Sequence, residues 1–310
     1  MSHVAIDIGA TNVRVAVGDY YGIKEKKVEN TDTFNGAMGV SAQIIRLIDS
    51  FKGNEPISIG IGSIGPINHK EGVITNTPNY PFNDIPITEP LIEKYKVPVT
   101  IVNDCTAAVL GEQMFGAGRG IENLVYVTIS TGLGGGAIVD DNLLMGKDGN
   151  AVEVGHFTLD PESEVVCGCG CRGHWEAFCS GKNIPGYAEQ ILRRKDWTTG
   201  LLHQLCGGDA KNLSAENIFT AAKEGDEYAL DIVHEIGAKN VIGFANIVNA
   251  FDPELITIGG SIALRNPDLI LNPIKENIEK HIINRVPEIL ITPLGQDSVI
   301  LGALALAMRI

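Results

Sequence analysis

His156 comes shortly before the run Cys167-Gly168-Cys169-Gly170-Cys171-Arg172-Gly173-His174-Trp175-Glu176. Thiols and imidazoles this closely spaced suit a borderline-soft ion that takes four nitrogen and sulfur donors at the corners of a tetrahedron. The chain has six cysteines, and the other three, Cys105, Cys179 and Cys206, stand apart from the run and from one another. That usage argues for a reducing compartment and against a disulfide framework, so the loop is expected to be stapled by zinc. The plain alternative is a reduced loop with no metal. Two acids flank the donors, Glu153 on one side and Glu176 on the other. A loop folded about an ion would hold both carboxylates near each other, which suits a ligand with many hydroxyls.

The glycines carry a second kind of chemistry. Asp7-Ile8-Gly9-Ala10-Thr11-Asn12 puts a carboxylate, a glycine and a hydroxyl at a turn between strands. Backbone N–H groups there form an anion-binding concavity, and Asp7 can orient a magnesium ion or its water. Ser130-Thr131-Gly132-Leu133-Gly134-Gly135-Gly136 has four glycines in five positions, enough to let a phosphate approach bare backbone. Leu255-Ile256-Thr257-Ile258-Gly259-Gly260-Ser261 reads as a buried strand ending in a double glycine, where adenine or ribose can lie on the main chain. Each of the three admits a plainer reading as a hairpin or a strand end. Val102-Asn103-Asp104-Cys105 closes an apolar strand immediately before a helical segment. Asp104 is either the N-cap of that helix or a general base that takes the proton from a hydroxyl attacking a γ-phosphoryl group.

Taken in order, the glycine segments resemble the two phosphate motifs and the adenosine motif of the actin and hexokinase-like ATPases. The resemblance implies that ATP is held by Asp7, Gly9, Ala10, Thr11, Asn12, Thr131, Gly132, Gly134, Gly259 and Gly260. Glu153-x-Gly155-His156 with the cysteine run resembles, in turn, the zinc motif of the ROK family of sugar kinases and sugar-responsive repressors. The family implies His156, Cys167, Cys169 and His174 as zinc ligands, with Cys171 as the substitute for the fourth. His174 stands where most members have a third cysteine, and imidazole can replace thiolate on zinc. Asn103-Asp104 resembles the family's catalytic pair, which assigns Asp104 the general base. Ile61-Gly62-Ser63-Ile64-Gly65-Pro66 resembles its Gly-x-x-Gly-Pro sugar turn, and Thr77 to Phe82 the segment around its substrate asparagine, here Asn79. The implied sugar site is thus Gly65, Asn79, Asn103, Asp104, Glu153, His156 and Glu176, with His156 using one nitrogen for zinc and the other for sugar. The implied reaction is ATP-dependent phosphorylation of the 6-hydroxyl of a hexose with magnesium, zinc being structural. Glucose is favoured and N-acetylmannosamine is the alternative, because Phe82 replaces the tryptophan of many glucose kinases.

These residues need elements to position them. Apolar and small polar residues alternate from Val4 to Val17, and a turn around Tyr20-Tyr21-Gly22 follows, which reads as a hairpin. Helices are expected over residues 37–51, 104–115, 215–223, 227–251, 270–281 and 298–308, and strands over 56–64, 97–102, 124–130, 135–139, 255–258 and 288–292. The unit of strand, glycine turn and strand occurs near Asp7 and again near Thr131, as a duplicated core would produce. The expected fold is α/β, a two-lobed actin-like ATPase (ribonuclease H-like) fold with a zinc-bearing loop. The lobes are expected at 1–107 plus 296–310, and at 108–295.

Composition narrows the partners. The 310 residues hold 24 Lys and Arg against 38 Asp and Glu, a formal charge of −14. No basic run interrupts that balance, so nucleic acid and anionic membranes are unfavourable partners. The longest apolar runs fall well short of the ~18 residues that span a bilayer. A DNA-binding family member would need a helix-turn-helix before the first phosphate motif, which here begins at Asp7. A soluble cytoplasmic enzyme is expected, with sugar and ATP as small-molecule partners and a homodimer or homotetramer as its assembly.

Overall fold

Ser2 to Ile8 is apolar or small at nearly every position, the pattern of a strand covered on both faces. In the computed structural model, which describes residues 2–53, 55–75 and 81–310, this segment is the central strand of a five-stranded sheet. Along the chain β1 (Ser2–Ile8), β2 (Asn12–Asp19) and β3 (Gly22–Asn30) form an antiparallel meander, followed by α1 (Gly39–Asp49) and β4 (Pro56–Ser63). Short strands β5 (Ile67–Asn68), β6 (Val73–Ile74) and β7 (Ile85–Pro86) then make a small sheet of their own. Next come α2 (Thr88–Tyr95), β8 (Val99–Asn103) and α3 (Asp104–Phe115). The second half opens with β9 (Leu124–Ile129), β10 (Leu133–Val139) and β11 (Asn142–Leu143). Helices α4 (Trp175–Cys179), α5 (Ile184–Leu192), α6 (Leu201–Leu205), α7 (Ala215–Lys223) and α8 (Glu227–Phe251) follow. Strand β12 (Leu255–Gly259), helices α9 (Ser261–Arg265) and α10 (Pro267–Asn277), strand β13 (Glu288–Ile291) and helix α11 (Ser298–Ala307) complete the chain.

The first large sheet has the order β3-β2-β1-β4-β8 and the second β11-β10-β9-β12-β13. Each begins with an antiparallel meander, and the strands β4 and β8, like β12 and β13, pair in parallel. The repeat expected from the two glycine turns is therefore present as repeated topology. The packing divides the chain into two compact units, residues 1–126 with 136–152 and 292–310, and residues 127–135 with 153–291. The boundary expected at residue 107 lies inside α3, a continuous helix that stays whole in the first unit. Among the described residues no helix is long and apolar enough to cross a membrane.

Two expected elements differ. The turn between β9 and β10 is shorter than the glycine run suggests, because Leu133 and Gly134 already belong to β10. Strand β3, rich in lysine and glutamate, shows no apolar alternation because it is the exposed edge of its sheet.

In the first unit, closely packed small residues hold α11 against β4 and α3. Helix α11 lies against β4 and α3 so tightly that a methyl at Gly60 would overlap the carbonyl of Ala303, and one at Gly302 the carbonyl of Ala107. Around this contact Ala5, Ala16, Ile300, Ala303 and Leu304 form a fully buried cluster. Side-chain volume added there must push α3 and α11 apart. Gly302→Ala is expected to cost roughly 1–3 kcal/mol, the usual range for overpacking a full core. Chemical denaturation of the two proteins checks this, and an unchanged midpoint would contradict the tight contact.

Candidate functional site

In the first unit the parallel ladder brings three strand ends level. Ile8 pairs with Ser63, and Ser63 with Asn103, so the Gly9 turn, the Ile64-Gly65-Pro66 turn and the start of α3 emerge side by side. Carboxyl ends of parallel strands are where α/β sheets bind ligands, since the chain leaves the sheet there and exposes backbone groups and helix N-termini. The first turn is closed by Gly9 N–H donating to the Asn12 carbonyl at 2.9 Å, and Thr31 braces it through its hydroxyl to the Gly9 carbonyl at 2.8 Å. Ala10 and Thr11 lie exposed at its tip.

The cap of α3 is Asn103 and not Asp104. Asn103 has extended backbone and its side chain accepts from Cys105 N–H at 2.9 Å, which leaves Asp104 as the first helical residue. Asp104 Oδ1 accepts from the same N–H at 2.7 Å. Burial pushes its carboxyl above the usual carboxylate range, against the opposing effect of that hydrogen bond. A methyl at Gly65 would touch Asn103 Nδ2 at 3.3 Å, so the amide lies against the bare backbone of this turn.

Asp7 is buried, and across the β1–β2 register it faces Arg14, whose Nη1 lies 3.4 Å from Asp7 Oδ2. Arg14 also donates to the Gln296 carbonyl at 2.7 Å. No motif marks Arg14, although hairpin register alone places it opposite Asp7. Asn79 falls outside the described residues. Phe82 packs against the apolar core of the first unit.

In the second unit His156, Cys167, Cys169 and His174 offer donor atoms that all lie within 4.8 Å of one another. The two Nδ1 atoms are 3.2 Å apart, Cys169 Sγ is 3.3 Å from His174 Nδ1, and Cys167 Sγ is 3.9 Å from His156 Nδ1. A tetrahedron with ordinary zinc–nitrogen and zinc–sulfur bonds has edges of roughly 3.3–3.8 Å. Two imidazoles and two thiols in this arrangement fit zinc by both geometry and donor chemistry. Cys171 is exposed and outside the group, while its carbonyl accepts from Cys167 N–H at 2.8 Å and shapes the loop. The other ring nitrogen of His156 lies 3.9 Å from the exposed Glu153 carboxylate. The residue before Glu153 is Val152 with φ 64°, a left-handed backbone that costs a β-branched side chain about 1–3 kcal/mol.

Glu176 is held differently from Glu153. Its Oε2 accepts from Leu133 N–H at 2.9 Å and Oε1 lies 3.5 Å from Cys167 Sγ. The Thr131-Gly132 turn is therefore fastened to the loop that carries the Cys/His group. Beside it, Gly260 has φ 87°, where a side chain is disfavoured, and a methyl there would run into the Ile129 carbonyl. Ser130 Oγ and Ser261 Oγ are 3.1 Å apart, so the glycine turn and the Gly259-Gly260 strand end share one face.

Asp7 makes a measurable difference to pH dependence. Burial, assisted by the nearby Asp104 and Asp297 and opposed by Arg14 and Lys26, pushes its carboxyl from 3.8 up to about 7. The folded chain thus holds a proton that the unfolded chain has lost between those values. The contribution of Asp7 to stability is complete below about pH 4 and is lost as pH rises through about 7. Relative to wild type, Asp7→Asn is expected to gain about 2–3 kcal/mol on going from pH 5 to pH 8. Guanidinium unfolding of both proteins at the two pH values checks it, and a constant difference would contradict the burial of this charge.

Comparison with known proteins identifies the family. The chain is 38% identical to a glucokinase of Pyrobaculum calidifontis, over 99% of this chain and 95% of the relative. The crystal structure of a ROK family glucokinase from Streptomyces griseus, in complex with glucose and AMPPNP, superposes with TM-score 0.81 at 29% identity and covers 100% of both chains. The ROK hexokinase of Thermus thermophilus superposes with TM-score 0.86 at 30% identity, over 100% of this chain and 98% of that one. The ROK family model matches residues 3–310, with the level strand ends and the Cys/His group inside that span, and the chain belongs to the ROK family.

Proposed function

We propose that this chain transfers the γ-phosphoryl group of ATP to the 6-hydroxyl of a hexose, with glucose as the preferred acceptor. The observation that carries the reading is the alignment of Ile8, Ser63 and Asn103, which puts the Gly9 turn, the Gly65 turn and the first residue of α3, Asp104, along one sheet edge. The glucokinase relatives, and the glucose and AMPPNP of the Streptomyces griseus structure, support the same substrates.

Asp104 accepts the proton of the attacking hydroxyl as its oxygen bonds to phosphorus and the bond from phosphorus to the β-phosphate bridging oxygen breaks, releasing ADP. A carboxyl raised by burial is a better proton acceptor than an exposed one. Asn103 and Gly65 lie beside Asp104 in the first unit and are assigned to the sugar by the family pattern, as are Asn79, Glu153, His156 and Glu176. The family pattern assigns the phosphates to Asp7, Gly9, Ala10, Thr11 and Asn12 and to Thr131, Gly132 and Gly134, and the adenosine to Gly259 and Gly260. Magnesium, bound with ATP, offsets the phosphate charge. His156, Cys167, Cys169 and His174 would hold zinc, which would supply a structural staple that engages Nδ1 of His156 and leaves its Nε2 for a sugar hydroxyl.

The activity is tested by a coupled ADP-release assay across hexoses and N-acetylhexosamines. Glucose is expected to give the highest kcat/KM; a value for N-acetylmannosamine more than tenfold higher would move the preference while leaving the phosphoryl transfer in place. Asp104→Asn is expected to lower kcat by at least ~100-fold with sugar affinity nearly kept, as for a lost general base. Turnover close to wild type would remove Asp104 from that role.

The metal reading has its own check. Elemental analysis of protein purified without chelators is expected to find about one zinc per chain. His174→Ala should lose it, while Cys171→Ser should keep it. Zinc retained by the first variant and lost by the second would exchange the two assignments.

A further inference from the structure

We infer that Glu176 is a positioning residue for the nucleotide, a brace whose length sets the Thr131-Gly132-Leu133 turn at the correct distance from the metal-binding loop. The inference rests on the reading of that turn as a phosphate-binding element.

Three consecutive residues at the start of α4 are fastened in three directions. His174 belongs to the Cys/His group. Trp175 is fully buried, donates its indole N–H to Asn240 Oδ1 at 2.9 Å and packs edge-on against Phe244 at 5.1 Å. Glu176 reaches Leu133 N–H at 2.9 Å. The segment just after α4 grips the other side of the same turn, since Gly181 N–H donates to the Ser130 carbonyl at 2.7 Å and Lys182 N–H to the Thr131 carbonyl at 3.1 Å. The turn is therefore held at both ends of one short helix. A methyl on Gly132 would meet Glu176 Oε2 at 3.0 Å, so the turn lies directly against the carboxylate.

A negative side chain beside a phosphate site is electrostatically adverse to ATP. Its value lies in reach, because the acceptor oxygen must span the distance to Leu133 N–H, and not in its charge. Oε2 is committed to the turn, while Oε1, 3.5 Å from Cys167 Sγ, faces the loop that carries the Cys/His group.

The test separates reach from charge. Glu176→Asp keeps the charge but is one methylene too short for Leu133 N–H; Glu176→Gln keeps the reach and removes the charge. The readout is titration of the full chain, without sugar, by a fluorescent non-hydrolysable ATP analogue with magnesium, with zinc content measured on the same samples. Glu176→Asp is expected to weaken the analogue about tenfold, the scale of one lost hydrogen bond to a charged group. Glu176→Gln is expected to bind it as wild type does or more tightly. In sugar kinetics the Asp variant should raise KM for ATP. A Gln variant weakened as much as the Asp variant, an Asp variant that binds like wild type, or losses that follow zinc content instead of side-chain length would each overturn the inference. Wild-type protein that neither binds the analogue nor phosphorylates a hexose would defeat the functional reading itself, a result seen before any variant is compared.

Discussion

Charge held out of water at the carboxyl ends of three parallel strands is the constraint on which the first unit depends. Asp7 is buried, Asp104 has its carboxyl raised by burial, and Arg14 is the cation set opposite the first of them. Removing carboxylates from water is costly unless they are paired or carry protons, so such an arrangement persists only in a frame too stiff to relax. That stiffness comes from packing. Glycines at positions 60 and 302 let α11 sit on β4 and α3 at backbone contact. Helix α3 is held in place by the same contact that fills the core, and Asp104 is its first residue.

The second unit solves its positioning problem with covalently adjacent residues. A helix of five residues, such as α4, has little stability of its own. His174 is the extended residue before the helix, and successive helical residues point about 100° apart, so His174, Trp175 and Glu176 reach three different neighbours. The buried tryptophan supplies the anchor and the flanking residues inherit its precision. A loop of exposed glycines and cysteines could not hold two imidazoles and two thiols at tetrahedral distances without such an anchor.

The two sheets repeat one topology but fill it differently. In the first, the strand–turn–strand unit supplies its own acid, Asp7, with Arg14 across the hairpin. In the second, the corresponding turn carries only hydroxyls and glycines, and its carboxylate arrives from outside the hairpin as Glu176. Repetition thus explains why both units present bare backbone at a strand end. It does not explain the ion chemistry, which each unit acquires from different elements.

Features that depend on neighbours along the chain are legible in the residues alone. Alternation from Val4 to Val17 identifies β1 and β2, and a short apolar run bounded by turn residues identifies β4. The long α8 is equally clear from its apolar spacing and the Asp226 cap. The donors His156, Cys167, Cys169 and His174 are readable because metal ligation requires specific atoms at short spacing. Choosing among nearby alternatives requires the third dimension. Whether Asn103 or Asp104 caps α3 is settled by the backbone conformation at Asn103, and whether Cys171 or His174 faces the other donors is settled by how the loop folds. The edge strand β3 is hidden because half of its surface faces water, so solubility and not packing chose its residues. The partner of Glu176 lies 43 residues away along the chain. A contact of that range leaves no periodic trace in the sequence, since it exists only after β10 and α4 have each been packed into place.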